Sequence, residues 1–575
     1  MPYYVSLPSR DERCFKTPPL GTPVLIVGMG PSGLLAAFLL AKRSIECAVI
    51  ERHELRLGQP KAHAINPRSL EIFRQTGLDT TKLRELGSCA DEAFWVRFNT
   101  GLTSVELGRI PYERQDEAVK DVTPEPLFNV SQPVLESFLQ EAAVETGLVT
   151  LHRGWIWDSF TLNAQGHPVS RLVARDNPKD IIEITSEYLL GADGADSNVR
   201  RKIPSIDWEG LGGRSAQKNF YCSIHARGDI RQRVTDSNQT AQLYFCLHPD
   251  HASGLIVYDL SDSWVHTHAV DTNTDDVSAY TEEKCRQLID ECVGPGIDYT
   301  VESANLWYTC PRVSSSFHDE SKRVFLVGDA AHSFPPQGGL GINTGIADVH
   351  NLIWKLSWAR TLNREDQARF LETYTLERKP VATANATRSM VNEARWIEFN
   401  QFATDLVHRG EASGQGMGTF MAQDHVRKAL SEQIAANKAH FDSLGMQLGY
   451  VYDEHNPVQE AEESWIYIPS ARPGARLPHT WLRKTRSVLD LVPYGAFTLF
   501  HVGGSFEKTF HLLHGQKVDV IVIDIMGDGR LEEWARSLGL DQGGGLLVRP
   551  DQHVLAVVRS DGEVQAHLVQ YFGRK

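Results

Sequence analysis

The sequence predicts an α/β protein in which a parallel-sheet unit is interrupted by a β-rich insertion and followed by a compact α/β module. Residues 22–53 read as a buried strand, a Gly-rich turn, a helix and a second strand. Residues 206–309 hold alternating strand-like segments, which predict a mainly β-stranded insertion. Residues 467–479 are rich in proline and form the best linker in the chain, so a separate unit follows them.

The other elements are predicted from apolar spacing and from turn residues. Two apolar runs, at 169–175 and 181–190, flank Asn-Pro-Lys-Asp and predict a β-hairpin. The remaining predictions are a helix at 133–146, strands near 241–247 and 254–259, a helix at 281–293, a strand at 323–328, a helix at 343–360 and mainly helix at 385–445. In the last module we expect strands near 496–501, 518–523 and 545–548 and a helix at 530–538.

The composition excludes several classes of protein. The chain has 575 residues, of which 41% are apolar and 23% charged, and its net charge is −15. This is globular rather than disordered composition, and the acidic balance disfavours non-specific binding to nucleic acid. Residues 24–41 carry no charge, but glycines and a proline interrupt them, so we expect no membrane span.

The cysteines and the N-terminus indicate a cytoplasmic protein. None of the eight cysteines forms a Cys-x-x-Cys pair, and none follows Cys310. The pattern signals neither a metal site nor a dithiol, and it fits a reducing compartment better than a disulfide framework. No basic region followed by an apolar run opens the sequence, so a secretory signal is not expected.

The turn after the first strand carries a dinucleotide fingerprint. Gly28 permits a tight turn, Gly30 lets the backbone approach a pyrophosphate, and Gly33 lets the helix pack closely on the strand. Glu51 ends the second strand, where its carboxylate can accept hydrogen bonds from a ribose diol and favours FAD or NAD over NADP. The predicted contact residues are Gly28, Gly30, Pro31, Ser32, Gly33, Glu51 and Arg52.

Two further motifs follow predicted strands. Asp193 lies in Gly-Ala-Asp-Gly at 191–194, and Asp329 lies in Gly-Asp-Ala-Ala-His at 328–332, before a Gly-rich turn and a helix that starts near Asn343. An aspartate at a strand end can bind a polyol hydroxyl, and a Gly-rich turn lets a ring system lie against the backbone. The helix directs its positive end at a developing anion.

Together these motifs resemble the class A FAD-dependent aromatic hydroxylases, the group of para-hydroxybenzoate hydroxylase and phenol hydroxylase. The resemblance covers residues 22–385 and includes Val-Ser-Gln-Pro-Val-Leu-Glu at 130–136, Asp348, Asn-Leu-Ile-Trp-Lys-Leu at 351–356 and Tyr-Thr-Leu-Glu-Arg-Lys-Pro at 374–380. Residues 473–479 and 548–554 resemble the ends of the thioredoxin-like domain of the phenol hydroxylase branch. That domain has lost its redox cysteines, so it is expected to be structural or to form a homodimer.

The resemblance implies a Rossmann-like FAD-binding domain with an inserted β-sheet substrate domain and a C-terminal thioredoxin-like α/β domain. The implied boundaries are 1–20 for an N-terminal arm, 21–205 and 311–395 for the two parts of the FAD-binding domain, 206–310 for the substrate domain, 396–466 for a helical connecting region and 467–575 for the thioredoxin-like domain.

The resemblance also implies roles for single residues. Asp329 would bind the ribityl chain, and Gly341, Ile342 and Asn343 would offer amides to the pyrimidine end of the flavin. Gln132 would lie near the FAD.

Three further roles follow from the resemblance, two of them with an alternative. Asp193 would contact FAD and NAD(P)H or else brace the fold. Arg68 would contact the flavin region or else be a surface arginine at a helix start. Pro335 would turn its carbonyl towards substrate and flavin.

One departure from the family concerns the catalytic base. Phenol hydroxylases often carry Gly-x-Ala-Asp-Gly after the acid of the second strand, and here His63 occupies the place of that aspartate. A histidine can take a phenol proton near neutral pH. The alternative is a histidine bonded to backbone near the flavin, and Tyr258, Tyr308 and His266 are then weaker candidates for the base.

The implied activity is NAD(P)H-dependent hydroxylation of a phenolic aromatic substrate by way of a flavin C4a-hydroperoxide, with O₂ as co-substrate. A simple phenol, a resorcinol, a hydroxybenzoate and a polyketide phenol all stay open as substrates, and NADH or NADPH as donor. The alternatives are an FAD-dependent oxidase or dehydrogenase without oxygen insertion, a hydroxylation that removes a carboxylate, and an inactive FAD-binding scaffold. Trp264, Trp307, Tyr258, Tyr308 and Phe334 are candidates for the wall of an aromatic pocket.

Overall fold

The structure is a computed structural model, and it describes residues 17–55, 58, 60–211, 218–234, 240–248, 252–270, 280–453, 463–512, 515–540 and 543–573. Most of the predicted N-terminal arm lies outside these residues. Within them, no helix combines the length and the apolar character that a membrane crossing requires.

The strands and helices are numbered in chain order. The strands are β1 (Gly21–Val27), β2 (Cys47–Glu51), β3 (Ala64–Ile65), β4 (Trp95–Asn99), β5 (Glu106–Pro111), β6 (Phe128–Asn129), β7 (Val149–Arg153), β8 (Trp155–Leu162), β9 (Pro168–Ala174), β10 (Ile181–Gly191), β11 (Trp208–Gly210), β12 (Asn219–Arg227), β13 (Leu243–Leu247), β14 (Ala252–Asp259), β15 (Ser263–Ala269), β16 (Thr300–Thr309), β17 (Arg312–Ser314), β18 (Val324–Leu326), β19 (His332–Ser333), β20 (Trp481–Arg483), β21 (Arg486–Ser487), β22 (Phe497–His501), β23 (Thr509–His511), β24 (Lys517–Asp524), β25 (Gly545–Val548) and β26 (Val554–Val558). The helices are α1 (Pro31–Lys42), α2 (Pro67–Thr76), α3 (Thr80–Arg84), α4 (Ala90–Ala93), α5 (Gln132–Glu145), α6 (Asn198–Arg201), α7 (Glu282–Val293), α8 (Gly341–Ala359), α9 (Arg364–Ala412), α10 (Met417–Met421), α11 (Asp424–Ala436), α12 (Lys438–Phe441), α13 (Leu444–Gly449), α14 (Gly529–Ser537) and α15 (Asp561–Phe572).

The first sheet brings the three sequence motifs to one edge. Its order is β7-β2-β1-β10-β9-β8, with β18 paired to β10. Strands β1, β10 and β18 are parallel neighbours that end at Val27, Gly191 and Leu326. The carboxyl ends of parallel strands meet at one sheet edge, which is where ligands bind in open α/β sheets. The predicted Rossmann-like α/β unit with a parallel sheet is therefore confirmed.

One face of the second sheet lies opposite that edge of the first. Its order is β16-β12-β15-β14-β13-β4-β5, so residues 95–111 join a sheet that the sequence predicts only from residues 206–310. Side chains alternate between its faces, as period 2 requires. On β12, Cys222 and Ile224 pack towards α7, whereas Tyr221, Ser223 and His225 line a cavity on the opposite face.

The C-terminal module has a five-stranded sheet in the order β23-β24-β22-β25-β26, with α14 and α15. Between it and the first unit lies α9, a helix of 49 residues that runs through the boundary predicted at 395/396. The seven cysteines of the described residues are all free.

A buried ionic cluster joins the module to the first unit. Glu377 of α9 accepts hydrogen bonds from Arg549 at 2.8 and 2.9 Å and from Lys355 at 2.7 Å, and Arg549 also pairs with Asp551 at 2.6 Å. All four residues are at most 9% exposed. Buried charges are tolerated only when they are paired and hydrogen-bonded, so these contacts fix the position of the module on the first unit.

Candidate active site

A cavity of about 1220 Å³ lies between the edge of the first sheet and the face of the second. Sites for a single small ligand commonly measure roughly 300–1,000 Å³, so this volume suits a cofactor together with a substrate. Ten of the predicted site residues line it: Gly30, Pro31, Ser32, His63, Gln132, Tyr258, Asp329, Pro335, Gly341 and Ile342.

Two of the fingerprint glycines are required by close approach of backbone atoms. Gly28 has φ +107°, and a Cβ there would lie 2.2 Å from the carbonyl oxygen of Ala192. A Cβ on Gly33 would lie 2.0 Å from the carbonyl oxygen of Gly28. At Gly30, by contrast, a Cβ would meet nothing within 4 Å, because the residue faces the open cavity.

Two helices point their N-termini into the cavity, and neither has a side-chain cap. Helix α1 follows Gly30 and helix α8 follows Leu340, and in both the first residues line the cavity. The first turn of each helix therefore offers free amide N–H groups and the positive end of its dipole. These two termini suit the two electron-rich parts of FAD, the pyrophosphate and the pyrimidine end of the flavin.

Asp329 is exposed to the cavity from the turn after β18. Behind it, Asp348 is completely buried and lies 2.6 Å from Nε2 of His332, 2.8 Å from Nε of Arg378 and 3.2 Å from the amide of Gly328. Burial alone would raise the pKa of Asp348, but His332 and Arg378 hold it below its usual value. This ion cluster fixes the turn that presents Asp329.

Glu51 and Arg52 lie outside the described lining of the cavity. The Glu51 carboxylate accepts hydrogen bonds from the amides of Met29 at 3.1 Å and His53 at 2.9 Å, which hold it at the fingerprint turn. Arg52 is exposed, and its Nε lies 3.2 Å from the ring of His53. A role for either residue at the ribose stays a prediction.

Asp193 caps a helix instead of lining the cavity. Its carboxylate accepts hydrogen bonds from Ser197 Oγ at 2.5 Å and from the amides of Asn198 at 2.6 Å and Val199 at 3.1 Å at the start of α6. This geometry supports the bracing alternative, while the neighbouring Gly194 lines the cavity.

Asn343 and Gln132 tie segments of the cavity wall together. Nδ2 of Asn343 donates to the carbonyls of Ala64 at 2.9 Å and Gly339 at 2.7 Å. Oε1 of Gln132 accepts a hydrogen bond from the amide of Ala62 at 3.4 Å, and its Nε2 donates one to Glu136 at 2.7 Å. Both side chains therefore hold the segment around residue 63 in place.

The prediction for Arg68 requires a correction. Arg68 is 2% exposed and is not a surface arginine, and it does not belong to the described lining of the cavity. It donates to Glu71 at 3.2 Å, to Gln552 Oε1 at 2.8 Å and to the carbonyl of Asp551 at 2.8 Å. The guanidinium is drawn to the C-terminal module because that module supplies the partners that a buried cation needs.

His63 lines the cavity between two tyrosines. Its Nδ1 lies 3.0 Å from Oδ1 of Asn129, and its ring packs 5.8 Å from Tyr112 and 6.0 Å from Tyr258. Burial lowers the pKa of His63 to about 4, although the contact with Asn129 raises it in part. The ring is therefore neutral near pH 7, and a proton on Nδ1 leaves Nε2 as a hydrogen-bond acceptor.

Tyr258 and Pro335 both belong to the wall of the cavity. The Tyr258 hydroxyl donates to the carbonyl of Lys61 at 3.2 Å, and burial raises its pKa. Tyr258 thus stays protonated and braces the His63 segment. Pro335 belongs to the turn at 334–339, where Gly338 and Gly339 have φ of +106° and +61° and bring backbone against the cavity.

Several aromatic predictions are confirmed and two side chains are buried elsewhere. Trp307, Tyr308 and Phe334 line the cavity, as Tyr258 does. Trp264 is fully buried in the substrate lobe and donates to the carbonyl of Gly228 at 3.0 Å. His266 is fully buried on β15, so it does not serve as the alternative base.

Sequence reasoning missed one end of the cavity. Trp396, Asn400, His440 and Phe441 line it from α9 and α12. Trp396 and Asn400 are four positions apart, so a helix places them on one face. That this face borders the cavity depends on how the connecting helices pack, which local sequence does not show.

The comparisons with known proteins cover both parts of the chain. The FAD binding domain family matches residues 21–389, and the family described as aromatic-ring hydroxylase, C-terminal, matches residues 470–574. The 2,4-dichlorophenol 6-monooxygenase of Cupriavidus pinatubonensis is 28% identical, over 93% of this chain and 92% of that protein. The tetracenomycin A2 monooxygenase-dioxygenase of Streptomyces glaucescens is 28% identical, over 92% of each chain.

Solved structures agree with this grouping. The flavin-dependent monooxygenase PieE, in complex with FAD and substrate, is 26% identical and superposes with a TM-score of 0.82 over 97% of this chain and all of that one. The predicted FAD cofactor and flavin-dependent hydroxylase class are therefore confirmed. The chain belongs to the class A FAD-dependent aromatic-ring hydroxylases.

Proposed function

We propose that the protein hydroxylates a phenolic aromatic substrate, with NADH or NADPH as electron donor and O₂ as the source of the oxygen atom. One observation carries this proposal: a single cavity joins two uncapped helix N-termini to an aromatic wall that contains a neutral His63. The names of the relatives, which include phenol 2-monooxygenase of Pseudomonas sp., support a phenolic substrate.

The residues present fit FAD. The turn at Gly28–Gly33 and the start of α1 would hold its pyrophosphate, Asp329 its ribityl chain, and the start of α8 its pyrimidine end. When bound and reduced, FAD activates O₂ and supplies one oxygen atom to the aromatic ring. The chain contributes the site around this chemistry by binding, orienting and excluding water.

Nε2 of His63 would accept a hydrogen bond from the phenol hydroxyl. Complete proton transfer from a phenol of pKa about 10 to a ring of pKa about 4 costs about 8 kcal/mol, so His63 is a hydrogen-bond acceptor more than a base. Such a bond orients the ring and increases its electron density at the carbon that is attacked. The Tyr258 bond to Lys61 would hold His63 in this position, and the Pro335 carbonyl would lie beside the substrate.

The experiment is a panel of phenols tested with the purified holoenzyme. We expect a phenol to accelerate oxidation of NADH or NADPH and to give, by mass spectrometry, a product with one added oxygen atom. An oxidase or dehydrogenase would consume no NAD(P)H, and a decarboxylating enzyme would release CO₂ from a hydroxybenzoate. Oxidation of NAD(P)H that no phenol accelerates, with no oxygenated product, would overturn the proposal.

A further inference from the structure

The end of the cavity that α9 and α12 build has a chemistry of its own, and we name it the distal end. Trp396, Asn400, His440 and Phe441 line it together with Phe245 of β13. The ring of Trp396 packs directly on that of Phe245, at 4.1 Å, and lies 6.0 Å from that of His440. The rings thus form one continuous aromatic wall, against which a planar apolar ligand can pack.

Two polar side chains of the distal end have no protein partner. Oδ1 of Asn400 and Nδ1 of His440 are shielded from solvent and accept or donate no hydrogen bond within the described residues. Buried polar groups in folded proteins are nearly always hydrogen-bonded, and an unsatisfied one costs about 1–3 kcal/mol. Because both residues line the cavity, a half-turn about the last side-chain bond would bring these polar atoms towards a ligand.

The distal end is also free of cationic side chains in the described part of its lining. Burial lowers the pKa of His440 to about 3, so its ring is neutral at physiological pH. The cations that line the rest of the cavity are Lys61, beside His63, and Arg227, which pairs with Asp262 at 2.5 Å. A carboxylate would find no cation in the described lining beside Asn400, whereas a hydroxyl, which both donates and accepts, would satisfy either side chain.

We infer that Asn400 and His440 form a subsite for a second hydroxyl group of the substrate, distinct from the hydroxyl that would bond to His63. The substrate class is then a neutral, polyhydroxylated aromatic of two or more fused rings, one of which packs against the wall formed by Trp396, Phe245 and Phe441. This inference rests on the proposed function and adds to it the recognition of the distal hydroxyl.

The test compares 1-naphthol, 1,5-dihydroxynaphthalene and 5-hydroxy-1-naphthoic acid on the holoenzyme. One hydrogen bond at the subsite should give the diol a kcat/KM about tenfold above that of 1-naphthol, and the acid should be the poorest substrate. In Asn400→Leu and in His440→Phe, the ratio of kcat/KM for the diol to that for 1-naphthol should fall to about two or less. Gln401→Leu, an exposed neighbour on α9, is the matched control and should keep the preference.

Binding is measured in parallel by the change that each ligand causes in the flavin absorbance spectrum. A diol preference that survives in both variants would overturn the subsite, as would a wild-type preference for the acid or for single-ring phenols over both naphthols. If no phenol accelerates NAD(P)H oxidation, the proposed function fails. In that case the subsite is tested separately, by comparing the spectral dissociation constants of 1,5-dihydroxynaphthalene and 1-naphthol in the native protein and in the two variants.

Discussion

His63 and Asn129, which are 66 positions apart in sequence, are held together by a 3.0 Å contact between Nδ1 and Oδ1 where β3 pairs with β6. The contact orients the ring and, because Oδ1 accepts a hydrogen bond from Nδ1, leaves Nε2 as the acceptor nitrogen. The protein thus controls the charge of His63 through burial and its tautomer through Asn129.

Replacing His63 by Phe should lower kcat/KM for phenols by about 100-fold, because the ring loses its acceptor while its shape is retained. Binding of FAD should be unchanged. Stopped-flow measurement of product formation, with the flavin content as control, checks this. Unaltered kcat/KM in the variant would remove His63 from the mechanism.

Replacing Asn129 by Asp should change the pH profile. In the native protein His63 titrates near pH 4, so its neutral form is present throughout pH 5.5–8 and kcat/KM shows no acid limb from it. A carboxylate beside the ring favours the imidazolium and raises its pKa by roughly 1–3 units. Activity of Asn129→Asp should thus be lost as pH falls through about 6, whereas Asn129→Ala should show no such limb.

Replacing Gly30 by Ala should separate folding from cofactor binding. The added Cβ meets no protein atom within 4 Å, and the residue has an ordinary φ of −80°, so the melting temperature of the apoprotein should stay the same. The methyl group should nevertheless weaken FAD binding by about tenfold or more, since it stands where the pyrophosphate approaches. Fluorescence titration with FAD measures this. Gly418→Ala is the control: its added Cβ also meets no protein atom within 4 Å, and the variant should bind FAD normally.

Replacing Glu377 by Gln should destabilise the protein by about 3–5 kcal/mol, because Arg549 and Lys355 lose a buried partner. Despite burial, these cations lower the pKa of Glu377 to about 2 from 4.5. Its stabilisation is thus present above pH 4.5 and lost as pH falls from 4.5 to 2. Urea midpoints at pH 7 and pH 3 should show a difference between native and variant protein that shrinks in acid. Glu365→Gln, in an exposed pair with Arg369, should change stability by under about 0.5 kcal/mol.

Replacing Glu113 by Gln should stabilise the protein at alkaline pH. Burial and the nearby Asp442 raise the pKa of Glu113 from 4.5 to about 8, so the folded state keeps a proton that the unfolded state releases. Stability is then greatest below pH 4.5 and declines by about 4 kcal/mol up to pH 8. The variant should melt higher than the native protein at pH 8 and nearly equally at pH 5. A difference that does not depend on pH would contradict this titration.

Local patterns predicted the elements well. The helices expected at 281–293 and 530–538 are found at Glu282–Val293 and Gly529–Ser537, because amphipathic spacing is a local property. The fingerprint turn, Asp329 and the start of α8 also came from local motifs. Strands β4 and β5 were not assigned to the second sheet, because β4 pairs with β13 across a long separation, Val96 with Leu243, and β5 joins only through β4.

The misplacement of Arg68 and the missed distal end share a cause. A sequence shows that a residue is cationic or aromatic, but its partner is chosen by packing between units. Arg68 meets Gln552 and Asp551 only because the C-terminal module docks on α2, and Asn400 meets the cavity only because α9 continues past residue 395.

The ionic cluster under the C-terminal module bears on the order in which the chain is made. Glu71 draws one partner from the first unit, Arg68, and one from the module, Arg476. Glu377 is likewise divided between Lys355 and Arg549. Until Arg476 and Arg549 have been synthesised, both carboxylates lack half of their counter-charge. We therefore expect the first unit to reach its final packing only after the module has been made and has docked on it.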